Sequence, residues 1–294
     1  MSTDRPFAGT YPAIVTPFHE DGSIDFEGVR EEVRRLEAAG VDGIVACGST
    51  GESSTLSHDE HIKVIDAVVD EADTPVIGGT GSNATREALS LSKRAANAGV
   101  DGLLLVSSYY NLPESEGIEH FYRTIADEVD VPQIIYNVPG RTGRNIPVET
   151  TVALAGHENV VGYKAASGDI AQISEVIERT RDEEFTVLSG DDPLTLPAMS
   201  VGGRGVISVA ANVVPERVCA MVDAADAGDY ERVRDIHHDL GPLFRGLFVE
   251  TNPIPVKEAL ETRGIREATL RPPLTKLAPE NRSDLERIVA EAAD

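Results

Sequence analysis

The chain has 294 residues, with 50 acidic against 26 basic side chains and a net charge of −24 with histidine neutral. A surface of that sign repels phosphate backbones and anionic membranes, which argues against a nucleic-acid or membrane partner. A hydrophobic fraction of 41%, in regularly spaced segments, argues against disorder.

The N-terminal stretch "MSTDRPFAGTYPAIV" has no basic region followed by an apolar one, and no apolar run approaches the ~20 residues of a membrane span. A soluble, cytoplasmic protein is expected. The first strand candidate is "YPAIVTP" (11–17). The segment 25–40 then places Phe26, Val29, Val33 and Leu36 on one helical face. The strand "DGIVAC" (42–47) runs into "ACGSTGESSTL" (46–56), where glycines frame Ser49 and Thr50. Ser57, with Glu60 three residues on, predicts a capped helix over 57–72.

The strand "TPVIGGT" (74–80) leads into "GTGSNA", which fits a dinucleotide fingerprint but lacks the acid that should end the next strand. The strands "DGLLLVS" (101–107), "PQIIYNV" (132–138), "VVGYKA" (160–165), "FTVLSG" (185–190) and "RGVISVA" (204–210) follow. Asp191 and Asp192 read as a helix N-terminus, where carboxylates suit the dipole. After Val209 only helical patterns remain.

The strands are runs of Val, Ile and Leu without alternation, as in a parallel sheet covered on both faces. "AAGVDGIVA" recurs as "NAGVDGLLL", one unit repeating. Eight units with no linker predict an α/β fold, a (β/α)8 barrel over 1–225, followed by a C-terminal helical region over 226–294. Cys47 and Cys219 are too few for a disulfide framework, and no Cys/His metal set is spaced for binding; His58 and His61 stand three apart on a helix.

Lysine is scarce: Lys63, Lys93, Lys164, Lys257 and Lys276 are the whole set. The acid excess fits a surface adapted to high salt, where the Debye length falls to roughly 3 Å and self-repulsion is screened. Lys164 ends the sixth strand, facing the barrel mouth where chemistry gathers. A poorly solvated amine loses its proton from a pKa of ~10.4 toward neutrality and can attack a ketone. A structural lysine paired with a barrel carboxylate is the other reading of this residue. Lys63 and Lys93 lie in amphipathic helices, and Lys257 and Lys276 in the C-terminal region, so all four are poorer candidates. Tyr136 and Arg141 follow from the fifth strand, a phenol for proton movement and a guanidinium for a carboxylate.

These motifs, in order as "GSTGESSTLSHDEH", "GGTGSNATREA", "SSYYNLP", "YNVPGRTG", "YKAASGD", "LSGDD", "GVISVAANV", "NPIPVKEAL" and "LRPPLTKL", resemble the dihydrodipicolinate synthase family of the pyruvate-dependent class I aldolases along essentially the whole chain. The resemblance implies that Lys164 condenses with pyruvate and that the enamine attacks L-aspartate-4-semialdehyde, in lysine and diaminopimelate biosynthesis. It implies that Tyr136 shuttles protons, that Ser49 or Thr50 links it to Tyr110 from a neighbouring subunit, and that Arg141 holds the semialdehyde carboxylate. Gly190 and Ile207 would line the pocket through main-chain groups. No metal or organic cofactor is implied, and a homotetramer is. Ser49 stands where the family usually has threonine, and Ala165 where glutamate is common.

The same resemblance maps an L-lysine effector site onto Ser53, Ser54, His58, His61, Asn83, Glu87 and Tyr109. There Glu87 would pair with the ligand's ammonium and the histidines with its carboxylate. Two rival readings are an aldolase for 2-keto-3-deoxy sugar acids or N-acetylneuraminate, and a non-catalytic regulator that kept the barrel.

Overall fold

The computed structural model describes residues 6–293. The first five residues of the N-terminal stretch read above lie outside them. The strands are β1 (Gly9–Pro12), β2 (Ile44–Ala46), β3 (Val76–Gly79), β4 (Gly102–Val106), β5 (Gln133–Asn137), β6 (Val160–Ala165), β7 (Thr186–Ser189) and β8 (Gly205–Ser208). The helices are α1 (Phe26–Ala38), α2 (His58–Glu71), α3 (Thr85–Ala98), α4 (Ser115–Glu128), α5 (Pro139–Thr142) and α6 (Val148–Ala155). They continue as α7 (Ile170–Arg179), α8 (Thr195–Ser200), α9 (Pro215–Asp226), α10 (Tyr230–Gly246), α11 (Ile254–Thr262) and α12 (Pro279–Ala293).

All strand pairs are parallel, each strand beside its neighbours in sequence, and β1 pairs β8. The barrel closes where β1 changes partner. Ala13 N–H donates to Ser208 and Ile14 N–H to Val45, at 2.9 and 3.0 Å. The first strand is therefore Gly9–Pro12 rather than 11–17, because beyond Pro12 the chain bridges to β2 instead of continuing one ladder. At Gly205, φ is +145°, and a Cβ would stand 1.9 Å from the Gly9 carbonyl, so only glycine permits that approach of β1 and β8.

Local signals decide the helices. Ser57 caps α2 in the expected reciprocal box with Glu60, and Asp25 caps α1 by accepting from Gly28 N–H. Val29, Val33 and Leu36 of α1 are wholly buried against the sheet, with Phe26 at the margin. Inside the barrel, Tyr11, Ile77, Ile134, Leu188 and Ile207 form a separate cluster. Burying each aliphatic side chain there stabilises the barrel by about 1.5–3 kcal/mol. A third cluster joins Val206 and Val209 at the end of β8 to Leu240, Phe244, Val256 and Leu285 of the C-terminal helices. That contact brings the chain beyond residue 250 over one side of the barrel mouth. No helix among the described residues is long and apolar enough to cross a membrane.

The glycines of "GTGSNA" have a packing cause. A Cβ on Gly79 would lie 2.5 Å from the Cys47 carbonyl, and one on Gly81 2.3 Å from Val106 N. They let strand ends pass closely.

Candidate active site

In the parallel ladder Tyr136 of β5 stands directly opposite Lys164 of β6, so both side chains leave the sheet on the same face. Lys164 is 7% exposed, and its Nζ lies 4.2 Å from the centre of the Tyr136 ring. No hydrogen bond or ion pair among the described residues holds that amine. Burial pulls its pKa down to about 8, against the opposing fields of Asp191 and Asp192 and with that of Arg141. The reading of Lys164 as a structural lysine paired with a carboxylate therefore fails on geometry.

Burial pushes the Tyr136 phenol up to about 12, while Arg141 and a hydrogen bond to Ser49 pull it back and Asp191 adds to the rise. At neutral pH the phenol keeps its proton, with the Ser49 hydroxyl beside it. Gly190 follows β7 and faces Lys164. A Cβ there would lie 3.0 Å from both Cε and Cγ of Lys164 and 2.9 Å from Ala166 Cβ, so glycine leaves the room in which the lysine side chain lies. Ile207 fills the barrel interior beside Leu188 and Tyr136.

Thr50 is buried and accepts from Asn252 Nδ2 at 2.9 Å, and the Asn252 carbonyl accepts from the Arg141 guanidinium at 2.9 Å. Asn252 thus joins the hydroxyl turn to the guanidinium, and nothing local in the sequence marks it for that task. Arg141 itself stays exposed, with its remaining N–H groups free to meet an anion. Tyr110 is not brought to this cluster. It sits at φ +67° on the loop after β4 and is 89% exposed.

Asp191 and Asp192 stand at a helix start as expected, Asp191 at the N-cap and Asp192 first in the 3-10 turn Asp192–Leu194, but Asp192 also reaches β8. Its buried carboxylate turns back to accept from Ser208 Oγ at 2.5 Å and from the N–H groups of Val209 and Ala210 at 3.1 and 3.0 Å. It staples the end of β7 to the end of β8. Asp191 exerts the strongest charge effect on Lys164 and, after Arg141, acts on Tyr136, and burial, opposed by Lys164, raises its own pKa. Sequence reasoning gave neither aspartate a place at the site.

A cavity of about 400 Å³ opens beside the cluster. Ser49, Arg141 and Asn252 line one part of it, and Ser53, Ser54, His58, His61, Glu87 and Tyr109 are also in its wall. Asn83 is not part of that lining, and Lys164 and Tyr136 lie outside it as well. His61 cannot serve a ligand carboxylate as expected. Its Nε2 lies 2.7 Å from the Gly79 carbonyl and must donate there, while burial drops its pKa to about 4. The ring is neutral at physiological pH, and its other nitrogen has no proton to offer. Glu87 is exposed and accepts from Ser82 Oγ at 2.8 Å.

The pattern of the Dihydrodipicolinate synthetase family matches residues 6–292. A 4-hydroxy-tetrahydrodipicolinate synthase of Haloarcula marismortui is 63% identical over 285 residues, covering 97% of this chain and 93% of that protein. One of Natronomonas pharaonis is 61% identical over 290 residues, covering 98% and 99%. The crystal structure of a dihydrodipicolinate synthase of Acinetobacter baumannii complexed with pyruvate superposes with a TM-score of 0.95 at 40% identity, covering 97% of this chain and 98% of that one.

Proposed function

The chain belongs to the dihydrodipicolinate synthetase family, and from that premise we propose the following chemistry for its barrel mouth. The enzyme condenses pyruvate with L-aspartate-4-semialdehyde to 4-hydroxy-tetrahydrodipicolinate, a step of lysine and diaminopimelate biosynthesis. The observation that carries the assignment is the buried, unpaired Lys164 amine in register with Tyr136.

The free amine attacks the pyruvate ketone, and loss of water gives the imine. Loss of a methyl proton gives the enamine, whose carbon attacks the semialdehyde. The adduct's own amine then adds to the imine carbon, closes the ring and expels Lys164. Tyr136 moves the protons of these steps, with Ser49 as the next hydroxyl outward. Arg141, steadied on Asn252, takes the semialdehyde carboxylate. Thr50 holds the turn through Asn252. Gly190 and Ile207 shape the floor.

A homotetramer is part of this reading. The outward-facing Tyr110 and Tyr109 are large aromatic groups suited to burial by a second copy, and Tyr110 would complete a partner's relay. L-lysine would enter the cavity lined by Ser53, Ser54, His58, Glu87 and Tyr109, with Glu87 taking an ammonium. The acidic surface suits a cytoplasm of high salt, where activity and Tm should rise with KCl.

The test is pyruvate consumption with the semialdehyde in molar KCl, coupled to dihydrodipicolinate reductase. Turnover absent from Lys164→Ala supports the assignment. Borohydride trapping of pyruvate on Lys164 without turnover would move the acceptor to a sugar acid.

A further inference from the structure

The turn that carries Ser49 and Thr50 begins and ends in the left-handed backbone region, with φ +55° at Cys47 and +52° at Glu52. Neither residue is glycine, and each pays a steric penalty there. Such conformations persist where the surroundings over-determine them. At Glu52 the surroundings are buried charges.

Glu52 is 1% exposed and forms an ion pair with Lys257 of α11, itself 3% exposed. The remaining Lys257 protons go to the carbonyls of Thr16 and Thr269, at 2.8 and 2.7 Å. The ammonium also lies 4.3 Å from the centre of the Phe18 ring. The second Glu52 oxygen accepts from Arg271 N–H at 3.1 Å. The same Thr16 donates its hydroxyl to the Gly51 carbonyl at 2.7 Å. The Glu52 N–H closes the turn onto the Ser49 carbonyl at 3.2 Å. Two charges buried together, with their other hydrogen-bonding capacity spent on backbone, tolerate one geometry where an apolar contact would tolerate several.

We infer that Glu52 and Lys257 are a positioning pair for the proposed Schiff-base reaction. They pin the Ser49–Thr50 turn to the C-terminal segment, so that Ser49 meets the Tyr136 phenol while Thr50 meets Asn252. The inference rests on the reading of Lys164 as nucleophile. Both side chains are spent on each other and on backbone groups, although Glu52 also stands in the wall of the neighbouring cavity. Lys257 has no free donor and no opening to the barrel mouth, so its effect passes through the turn.

The experiment compares the full-length wild type in molar KCl with Glu52→Gln, Lys257→Met and the double variant. Active sites are counted by borohydride trapping of pyruvate on Lys164, so kcat refers only to folded sites. Trapping should persist in all three variants, with kcat per trapped site down about 10- to 100-fold and KM for pyruvate within about threefold of wild type. The double variant should lose no more than the worse single one, because both act through one contact. A kcat per trapped site within about twofold of wild type, whatever the change in Tm, would make the pair merely structural and overturn the inference. Should Lys257→Met not fold, Glu52→Gln decides alone, since it keeps the side chain's size and its acceptor for Arg271. Failure of the wild type itself to trap pyruvate would sink the nucleophile assignment, and this inference with it.

Discussion

Lys164 and Lys257 are both buried lysines whose pKa burial draws down to about 8, yet their surroundings are opposite. Lys257 is surrounded by partners: a carboxylate and two backbone carbonyls accept its three protons. Lys164 has an aromatic face below it and two aspartates acting only at a distance. A desolvated amine without acceptors has no hydrogen bond to break before its lone pair can attack. One with three acceptors has every proton in use as a fastening. Burial alone therefore does not make a nucleophile. What decides is whether the surroundings solvate the ammonium.

The sharpest way to break this comparison is to remove each amine. Lys164→Met should abolish turnover and pyruvate trapping while raising Tm, because a costly buried ammonium is replaced by an apolar chain of similar length. Lys257→Met should lower Tm, since it strands Glu52 in the interior at a cost of about 3–5 kcal/mol. Thermal melts of the two proteins side by side check the opposite signs. Equal shifts would mean that the two sites are solvated alike.

Tyr136→Phe keeps the ring under Lys164 and deletes only the proton carrier. It should cut kcat about 10²- to 10⁴-fold, measured in the coupled assay. Gly190→Ala should cost less, on the order of tenfold in kcat, because the lysine must swing away from a methyl that starts 3.0 Å from its Cε and Cγ.

The smallest effect is the most specific. The rate of imine formation should climb as pH rises through about 8, as the free amine of Lys164 appears, and then level off. Stability follows the same group. Its folded pKa lies below the ordinary lysine value of 10.5, so between those values the unfolded chain binds more protons and the folded state gains as pH rises. Stopped-flow trapping and melts across that window test both, and Lys164→Met should lose this contribution to the stability slope.

Much of the molecule is legible in its residues alone. Eight apolar runs spaced by amphipathic helices produce a parallel barrel, because strands and helices announce themselves through short periods that neighbouring residues satisfy together. The capping box at Ser57 and Glu60 is local in the same sense. Lys164 is legible because a lysine at the end of an apolar strand violates that pattern, and the strand ladder then sets Tyr136 beside it.

What sequence reasoning did not reach depends on closure. Asn252 meets Thr50 across 202 residues of chain. Glu52 meets Lys257 only after the C-terminal helices have docked on the barrel. Asp192, at the helix start that local reading gives it, also binds three donors at the end of β8 that no local pattern points to. The neutral state of His61 follows from a carbonyl on β3 that no local pattern points to. Each is a polar group whose partner is set by which strand ends become neighbours in space. The sequence by itself determined the barrel, its charge and the lysine proposed as nucleophile, since those follow from local periodicity and from one residue out of place. The tertiary structure decided how protons, carboxylates and buried charges pair, because pairing energy exists only once distant segments share one dry volume.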